Sequence, residues 1–439
     1  MSGLGVAGIG FLVMLGLIAL RMPIGLAMLT VGSAGYIHLA GMLPFLNYMK
    51  STPYYLFSNY TLSVIPLFIL MGAFAERSGL ARDLFAAARA VVGHMRGGLA
   101  YSVIGACTIF GAICGSSVAT TATFGRAALP ELRRYGYDRG FATGTIAIGG
   151  VVDLMIPPSI ILVVYAIVTE QNIAKLFQAA LIPGLLTVAL YCLVIAIVVY
   201  LRPALAPTLP KMEPRERVQA LVGVWPAVLV ILLVIGGIYS GIFTPTEAAA
   251  VGTVAMLAVG LLQRSLSWTD FKQSFLQTAE TSAMIFAILL GAEVFDAFLA
   301  LSQLPQKAAE LVAGAGLSAY GVMFTLLLFY ILLGAVMDEL AMILLTLPVF
   351  FPIVTVLDFG MPPDEVGIWF GILVLSVVGI GLTAPPIGLN VFVVSGIARD
   401  VPITETYRGV LPFVGIDLIR LAILTTFPAL SLMMVRWLN

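Results

Sequence analysis

Long apolar runs separated by short polar connections recur along the whole sequence. A helix needs about 20 mostly apolar residues to cross a bilayer, so these runs predict membrane-spanning helices. The predicted spans cover residues 3 to 20, 24 to 43, 61 to 76, 139 to 169, 175 to 200, 220 to 240, 245 to 263, 273 to 300, 365 to 398 and 409 to 435. The pattern therefore predicts an all-α integral membrane protein with ten spans.

Two further apolar stretches, 98 to 130 and 318 to 354, are each long enough for two short helices. Small and polar residues interrupt them at 111 to 117 and at 334 to 339. We therefore expect each stretch to form a re-entrant hairpin, which enters the membrane and leaves it on the same side.

The two halves of the chain carry matching landmarks at offsets of 219 to 229 residues. The matched positions are Pro23 with Pro245, Gly72 with Gly291, Gly111 with Gly334, Pro157-Pro158 with Pro385-Pro386, and Pro183 with Pro412. Residues 1 to 217 and 218 to 439 each contain five predicted spans and one hairpin. Because five crossings are an odd number, the second half must lie upside down relative to the first, which is the inverted-repeat plan of many secondary transporters.

Composition agrees with a lipid environment, since 61% of the 439 residues are hydrophobic, only 10% are charged and the mean hydropathy is +1.08. Lys plus Arg equals Asp plus Glu, with 22 of each, so net charge gives no reason to expect nucleic acid as a partner. The three cysteines lie in apolar runs and are interpreted as packing residues rather than as a disulfide or metal framework.

The placement of Lys and Arg predicts the topology, because these residues concentrate in cytoplasmic loops. With the N-terminus outside, sixteen of them fall in cytoplasmic segments, against four outside, namely Lys50, Lys175, Lys307 and Arg436. Both termini are then expected in the periplasm or exterior. The first hairpin should open from the cytoplasmic side and the second from the outside.

The two Pro-Pro pairs are the most informative local feature. Proline removes a helical hydrogen bond and biases the preceding residue away from helix, so each pair should break its span in mid-membrane. Broken backbone at that depth is tolerated only where it is buried in protein or lines a cavity. The breaks at 149–159 and 379–388 therefore indicate a binding site, although a single proline more often marks a simple kink.

The expected hairpin tips carry small and polar residues: Gly115, Ser116, Ser117, Thr120 and Thr121 on the first, and Gly334, Asp338 and Glu339 on the second. Hydroxyls and freed carbonyls are hard oxygen ligands for a cation, and N-terminal helix ends attract anions. Such a tip suits a sodium ion together with a carboxylate. Ser and Thr commonly form hydrogen bonds within or between helices, which is a structural role. Only their position at a break favours a binding role here.

Ionisable residues inside spans are expensive and indicate function. Asp153, in the first broken span, and Asp338, at the second tip, are the strongest candidates; a helix cap or an arginine partner is the structural alternative for Asp153. Glu247, Glu293 and Asp296 are assigned instead to scaffold packing, to water or to a partner subunit. Asp417 and Arg420 are three residues apart and are expected to pair on one helix.

No enzyme or nucleotide-driven pump is indicated. His38 and His94 are too few and too far apart for a metal site or a triad, and no P-loop or dinucleotide motif is present. A nucleophilic role for Ser116 or Ser117 would need a general base at the same membrane depth, and none is available. An ion gradient is the remaining energy source, and hairpin tips suit alternating access better than a channel.

At these motifs the chain resembles the large membrane subunit of the tripartite ATP-independent periplasmic (TRAP) transporters. The similar stretches, which recur in order from end to end, are 63–80, 111–144, IPPSI with LFQAALIPG, 241–252 and 381–398. The resemblance implies a bacterial inner-membrane protein that receives substrate from a periplasmic binding protein, works with a separate small membrane subunit and couples uptake to sodium. It also implies an elevator mechanism, in which hairpins and broken helices slide past a scaffold.

The resemblance also implies two sodium sites, mostly built from backbone oxygens, and no organic cofactor. The first is expected at Gly111, Ser116, Asp153, Ile156 and Pro158. The second is expected at Gly334, Gly381, Ala384 and Ile387, to which Asp338 is added from its place at the hairpin tip. The candidate contacts for an anionic carboxylate substrate are Ser117, Thr120, Thr383 and Asn390.

Two positions depart from the family pattern. Asp153 stands where glycine is more usual and adds a charged candidate ligand, whereas Ala384 stands where threonine is usual and removes a hydroxyl. The main interpretation is a sodium-coupled importer subunit for organic acids. A self-sufficient sodium/dicarboxylate symporter of similar fold stays open as the alternative.

Overall fold

The chain is α-helical throughout the part that the computed structural model describes, which is residues 3–314, 316, 318–335 and 337–438. The helices of the first half are α1 (Gly3–Ala19), α2 (Ile24–Ala40), α3 (Met42–Phe57), α4 (Val64–Arg77), α5 (Leu80–Val92), α6 (Gly98–Cys114), α7 (Ser117–Arg134), α8 (Arg139–Met155), α9 (Ile160–Val168) and α10 (Ile173–Leu201). Short 3₁₀ turns at Tyr60–Ser63 and Pro203–Leu205 adjoin α4 and α10.

The second half begins with α11 (Pro214–Gly223), α12 (Trp225–Ile231), a π-helical turn (Leu232–Gly236) and α13 (Gly237–Tyr239), which together form one long segment. The helices that follow are α14 (Pro245–Leu262), α15 (Trp268–Ser302), α16 (Leu304–Gly314), α17 (Ala319–Gly334), α18 (Glu339–Thr355), α19 (Pro363–Gly381), α20 (Leu389–Ile397), α21 (Ile403–Thr426) and α22 (Ala429–Leu438).

Seven helical segments of the described residues are long and apolar enough to cross a membrane, and the bent pair α8–α9 makes eight. All eight overlap predicted spans, although Pro363–Gly381 covers only the first part of the predicted span 365 to 398. The other two predicted spans correspond to α1 and α2, which at 17 residues each are at the short end of the range for a crossing. The two stretches predicted as hairpins each contain a pair of helices, α6 with α7 and α17 with α18, and their re-entrant course stays a prediction.

Several predicted boundaries were wrong. The last predicted span, 409 to 435, is two helices, because α21 ends at Thr426 and Pro428 cannot donate a helical hydrogen bond across the junction. The span predicted to reach residue 43 ends at Ala40, and Gly41 takes a positive φ of 94°. Helices α3, α5 and α16 were not predicted, because each is short or amphipathic and falls below the pattern of a full span.

The core is formed by α8 and α19, the upstream parts of the two broken spans. Every residue from Gly140 to Met155 is buried, as is every residue from Val366 to Gly381. The hairpin helices α6 and α7 pack on α8, whereas α17 and α18 pack on α19. The first break, at 156–159, therefore lies inside protein, where unpaired backbone is tolerated.

A second group of helices packs backbone against backbone through glycine. A methyl group at Gly291 of α15 would clash with the carbonyl of Gly25 on α2, and one at Gly32 would lie 2.8 Å from Phe295 Cα. Small residues permit such close approach in membrane helices. These helices, together with α4 and α14, form a tightly joined body beside the hairpins.

Asp417 and Arg420 form the predicted pair on α21, with Arg420 Nη2 3.2 Å from Asp417 Oδ1. Both side chains are fully buried. Tyr191 donates a 2.7 Å hydrogen bond to Asp417, and Arg420 donates a 2.6 Å hydrogen bond to Thr187. The pair therefore fastens α21 to α10, which is a structural role.

Candidate functional site

The first break joins α8 to α9 at an angle of 42°. Ile156 has left the helical conformation, with φ −94° and ψ 118°, and residues 156–159 are all buried. Two predicted sodium ligands, Ile156 and Pro158, lie in this break. Its carbonyls are released from the helix ladder at a dry position, as a cation site of backbone oxygens requires.

The tip of the first hairpin packs directly against this break. Gly115 ends α6 with a left-handed φ of 65°, and Ser116 then caps α7 by accepting a hydrogen bond from the Ala119 N–H. A methyl group at Gly115 would lie 2.8 Å from the Pro158 carbonyl oxygen. Glycine is therefore needed at position 115 for two reasons, its left-handed backbone conformation and its lack of a side chain.

Asp153 is the buried carboxylate of this contact. Thr120 donates a 2.7 Å hydrogen bond to Oδ2 of Asp153, whereas Oδ1 has no hydrogen-bond partner among the described residues. No ion pair among those residues includes Asp153 either. Gly111 keeps the space beside Oδ1 free, since a methyl group there would approach it to 2.7 Å. The backbone N–H groups of Gly115 and Ser116 also lie close to this carboxylate. A buried carboxylate with no ion-pair partner is nevertheless costly and favours a bound cation or proton.

A second polar cluster joins the two halves of the chain. Asn390 at the start of α20 donates hydrogen bonds to Ser117 Oγ at 2.8 Å and to the Ala147 carbonyl at 3.1 Å. All three polar residues Asn390, Ser117 and Thr121 are completely buried. Asn390 Oδ1 and Thr121 Oγ1 have no partner in the described part of the chain. These orphaned atoms are available to a polar ligand between α7, α8 and α20.

The second break, between Gly381 and Leu389, differs from the first in its exposure. Pro385, Pro386 and Ile387 are exposed, and Ile387 retains 40% of its accessible surface. Ala384 is half-buried, and Tyr407 donates hydrogen bonds to the carbonyls of Pro386 (3.1 Å) and Ile387 (2.6 Å). The carbonyls of this break thus already have a hydroxyl partner, which the sequence did not indicate.

Gly334 and Gly381 are brought together as predicted for one site. A methyl group on Gly381 would lie 2.7 Å from both the carbonyl carbon and the oxygen of Gly334, so the second hairpin touches α19 through backbone alone. Thr383 is buried nearby, but its hydroxyl bonds back to the Gly379 and Ile380 carbonyls of its own helix. Ala384 and Ile387 follow in the break, at more exposed positions.

Asp338 has a structural explanation at the second tip. Its Oδ1 accepts hydrogen bonds from the N–H groups of Leu340 and Ala341, which makes it the N-cap of α18. Its neighbour Glu339 has a buried Oε2 without a partner in the described residues. Glu339 therefore presents the less satisfied carboxylate, while a role for Asp338 as an ion ligand stays a prediction.

The first hairpin is also fastened to the second half outside the spans. Arg133 at the end of α7 donates a 2.6 Å hydrogen bond to Asp400, which follows α20. This contact holds the pKa of the Asp400 carboxyl below its usual range.

No cluster of three or more His, Cys, Asp or Glu side chains suited to a metal occurs in the described residues. A sodium ion would therefore rely on hydroxyl and backbone oxygens with at most one or two carboxylates.

Comparison with known proteins agrees with this architecture. The family model for the DctM component of tripartite ATP-independent periplasmic transporters matches residues 11–430. The C4-dicarboxylate TRAP transporter large permease protein DctM of Pseudomonas aeruginosa is 39% identical over 383 residues, covering 87% of each chain. The sialic acid TRAP transporter large permease protein SiaM of Vibrio cholerae is 30% identical, covering 96% of each.

The fold itself is similar to a solved transporter. The crystal structure of the Alcanivorax borkumensis YdaH transporter superposes with a TM-score of 0.64 at 16% identity, covering 89% of this chain and 90% of that one. The sequence relatives are TRAP large permease subunits, and the family model spans nearly the whole chain. This chain therefore belongs to the DctM family, the large permease subunits of tripartite ATP-independent periplasmic transporters.

Proposed function

We propose that this chain is the transport subunit of a sodium-coupled secondary importer of organic acids. The observation that carries the proposal is Asp153, fully buried where the first hairpin meets the first break, with Oδ1 unpaired in the described part of the chain. The Thr120 hydroxyl donates to its Oδ2, and the hairpin tip beside it contacts the Pro158 carbonyl of the break. Hydroxyl and carbonyl oxygens are the ligands expected of a sodium site. The site is completed by Gly111, Ser116, Ile156 and Pro158, and a second site is proposed at Gly334, Asp338, Gly381, Ala384 and Ile387.

The substrate is proposed to be an anionic carboxylate held near Ser117, Thr120, Thr383 and Asn390. The substrates named for two relatives support this class, since C4-dicarboxylates and sialic acid are both carboxylates. The orphaned amide oxygen of Asn390 and hydroxyl of Thr121 add polar groups suited to the rest of such a molecule. The proposed partners are a small membrane subunit and a periplasmic binding protein that delivers the substrate.

The proposed mechanism is of the elevator type, with an inverted repeat at 1–217 and 218–439. The order of helices supports the repeat, because a hairpin, a broken span and a long helix follow one another in each half. The separate packing of the glycine-joined helices supports a fixed body beside a moving one. The proposed setting is the bacterial inner membrane, with both termini periplasmic, which rests on the placement of Lys and Arg.

Reconstitution tests the function. The chain is placed in proteoliposomes with its small subunit and binding protein, and uptake of a radiolabelled candidate acid is measured under an inward sodium gradient. We expect uptake with sodium, none with potassium, and none without the binding protein. Sodium-driven uptake by this chain alone would favour the self-sufficient symporter. Uptake indifferent to sodium in the complete system would refute the coupling.

A further inference from the structure

A cavity of about 310 Å³ lies between α4, α5 and α7, away from the two breaks. Its charged lining residues are three arginines, Arg77, Arg82 and Arg126, and a single acid, Glu76. A cleft lined by one sign of charge concentrates ions of the opposite sign. The volume is at the lower end of the range for small-molecule sites.

Two buried polar groups in this lining have no partner. Thr123 is only 7% exposed, and its hydroxyl makes no hydrogen bond within the described residues. The Nε–H of Arg77 is likewise buried and unpaired there. Buried polar groups are nearly always satisfied, so two unpaired groups on residues that line one cavity indicate a missing ligand. The Arg77 donor and the Thr123 hydroxyl both suit an anion.

The arginines are held in place around this space. Arg77 Nη2 donates a 2.9 Å hydrogen bond to Gln277 Oε1, whereas its Nε–H makes no hydrogen bond within the described residues. Arg126 pairs with Glu76 at 2.8 Å, so that acid neutralises one of the three guanidinium groups. Arg82 is exposed and makes no ion pair within 4 Å among the described residues. The lining therefore retains excess positive charge.

The cavity begins one helical turn from the candidate substrate site. Thr120, Thr123 and Ala127 recur at spacings of three and four residues, so they share one face of α7. Thr123 lies about 4.5 Å further along the helix axis than Thr120, toward the arginine-rich end. Along this face Thr123 therefore lies between Thr120 and the arginine-rich end of α7.

We propose that this cavity is a second binding site for the transported carboxylate, occupied as the substrate leaves toward the cytoplasm. The inference rests on the proposed function for the identity of its ligand. When the carboxylate binds, the side chains of Thr123 and Arg77 turn so that the hydroxyl and the Nε–H donate hydrogen bonds to it, while Arg82 and Arg126 supply the positive field. The site lowers the barrier between the hairpin tip and bulk water by giving the anion an intermediate position.

The local charge is tested by cysteine modification. Ala127, which lines the cavity and is half-buried, is changed to cysteine in a Cys192→Ala background, whose own rate measures labelling of the buried Cys107 and Cys114. Purified protein is then treated with anionic sulfonatoethyl or cationic trimethylammonioethyl methanethiosulfonate. We expect the anionic reagent to react faster relative to its rate with free thiol, by about tenfold or more.

Charge variants test whether the charged residues of the cavity cause this preference for the anionic reagent. Arg82→Gln and Arg126→Gln should each lower the ratio of anionic to cationic rates, whereas Glu76→Gln should raise it. The matched control is Arg408→Gln, which removes an exposed arginine of α21 outside the cavity and should leave the ratio unchanged. Equal rates for the two reagents, or a ratio insensitive to Arg82 and Arg126, would overturn the proposal.

Binding is tested by protection of the same cysteine. Succinate should slow its labelling more than sodium chloride of equal ionic strength, and Thr123→Val should weaken that protection at least about fivefold. Protection by inorganic phosphate or phosphatidylglycerol nanodiscs but not by succinate would assign the site to a phosphate group and overturn its link to transport. Labelling needs no sodium gradient, so it tests this site independently of sodium coupling. If succinate gives no protection while uptake is driven by sodium, this inference is wrong and the proposed function stands. Succinate protection without sodium-driven uptake would count only against the coupling.

Discussion

The hydroxyl of Thr120 lies 2.7 Å from Oδ2 of Asp153, so the first hairpin and the first broken span share one buried carboxylate. The other oxygen of that carboxylate has no partner in the described residues. A cation at Oδ1 would satisfy it without disturbing the Thr120 bond. The most direct prediction about the mechanism therefore concerns this side chain.

Asp153→Asn should preserve the fold but weaken the response to sodium. The amide is nearly isosteric and can still accept from Thr120, but it lacks the negative charge. We expect the sodium concentration for half-maximal thermal stabilisation to rise about tenfold, which equals about 1.4 kcal/mol. Asp400→Asn, on an exposed carboxylate, is the control. A well-folded Asp153→Asn protein with the wild-type sodium curve would show that Asp153 is not a ligand.

Gly381→Ala should separate the second hairpin from α19. The added methyl group would lie 2.7 Å from the Gly334 carbonyl carbon, and backbone cannot give way as a flexible side chain can. Overpacking of this kind costs about 1–3 kcal/mol, so the melting temperature and the sodium response should both fall. Gly396→Ala is the matched control, because a methyl group on Gly396 meets nothing within 4 Å. Equal losses in the two variants would contradict a specific contact.

Asn390→Ala should impair substrate use more than sodium binding. The change removes the donors to Ser117 and to the Ala147 carbonyl, and with them the polar bridge between the two halves. Each hydrogen bond lost contributes about 0.5–1.5 kcal/mol to stability. In reconstituted uptake we expect the KM for substrate to rise while the sodium dependence of melting stays near wild type. Ser58→Ala, at an exposed serine, serves as the control, and an unchanged KM in Asn390→Ala would remove Asn390 from the substrate site.

Substitutions at Asp338 separate a cap from an ion ligand. Asparagine is about as good an N-cap as aspartate, whereas alanine costs about 1 kcal/mol. We therefore expect Asp338→Asn to melt near wild type and Asp338→Ala to melt lower. A weaker sodium response in Asp338→Asn would support the predicted second sodium site. An unaltered response would leave Asp338 as a cap only.

Hydropathy predicted most spans because their apolar runs are long enough to be recognised without knowing their neighbours. The same criterion missed α3, because Lys50 and three tyrosines interrupt its apolar run. It also missed α5, because that helix is amphipathic, with one charged and one apolar face. The hairpins and breaks were found from glycine and proline, whose backbone effects act locally. Local signals of this kind are the part of a membrane fold that sequence reveals best.

Contacts across the chain were beyond the same reasoning. Asn390 and Ser117 are 273 positions apart, and no spacing rule indicates that they meet. Tyr407 bonds to the carbonyls of the second break although nothing around it distinguishes it from other interfacial tyrosines. The cap at Asp338 was within reach, since an aspartate directly before an apolar run is a common helix start. Such contacts depend on packing between distant segments, which local periodicity does not predict.

The unequal exposure of the two breaks bears on how a carrier of this kind prevents ions from leaking across the membrane. Residues 156–159 are buried, whereas 385–387 are open to their surroundings. If both breaks opened together, ions would leak down their gradient and the cell would lose stored energy without importing anything. A carrier with the proposed inverted repeat therefore has to keep its two halves unequal at every stage of the cycle, and here the more exposed break is the one at Ile387.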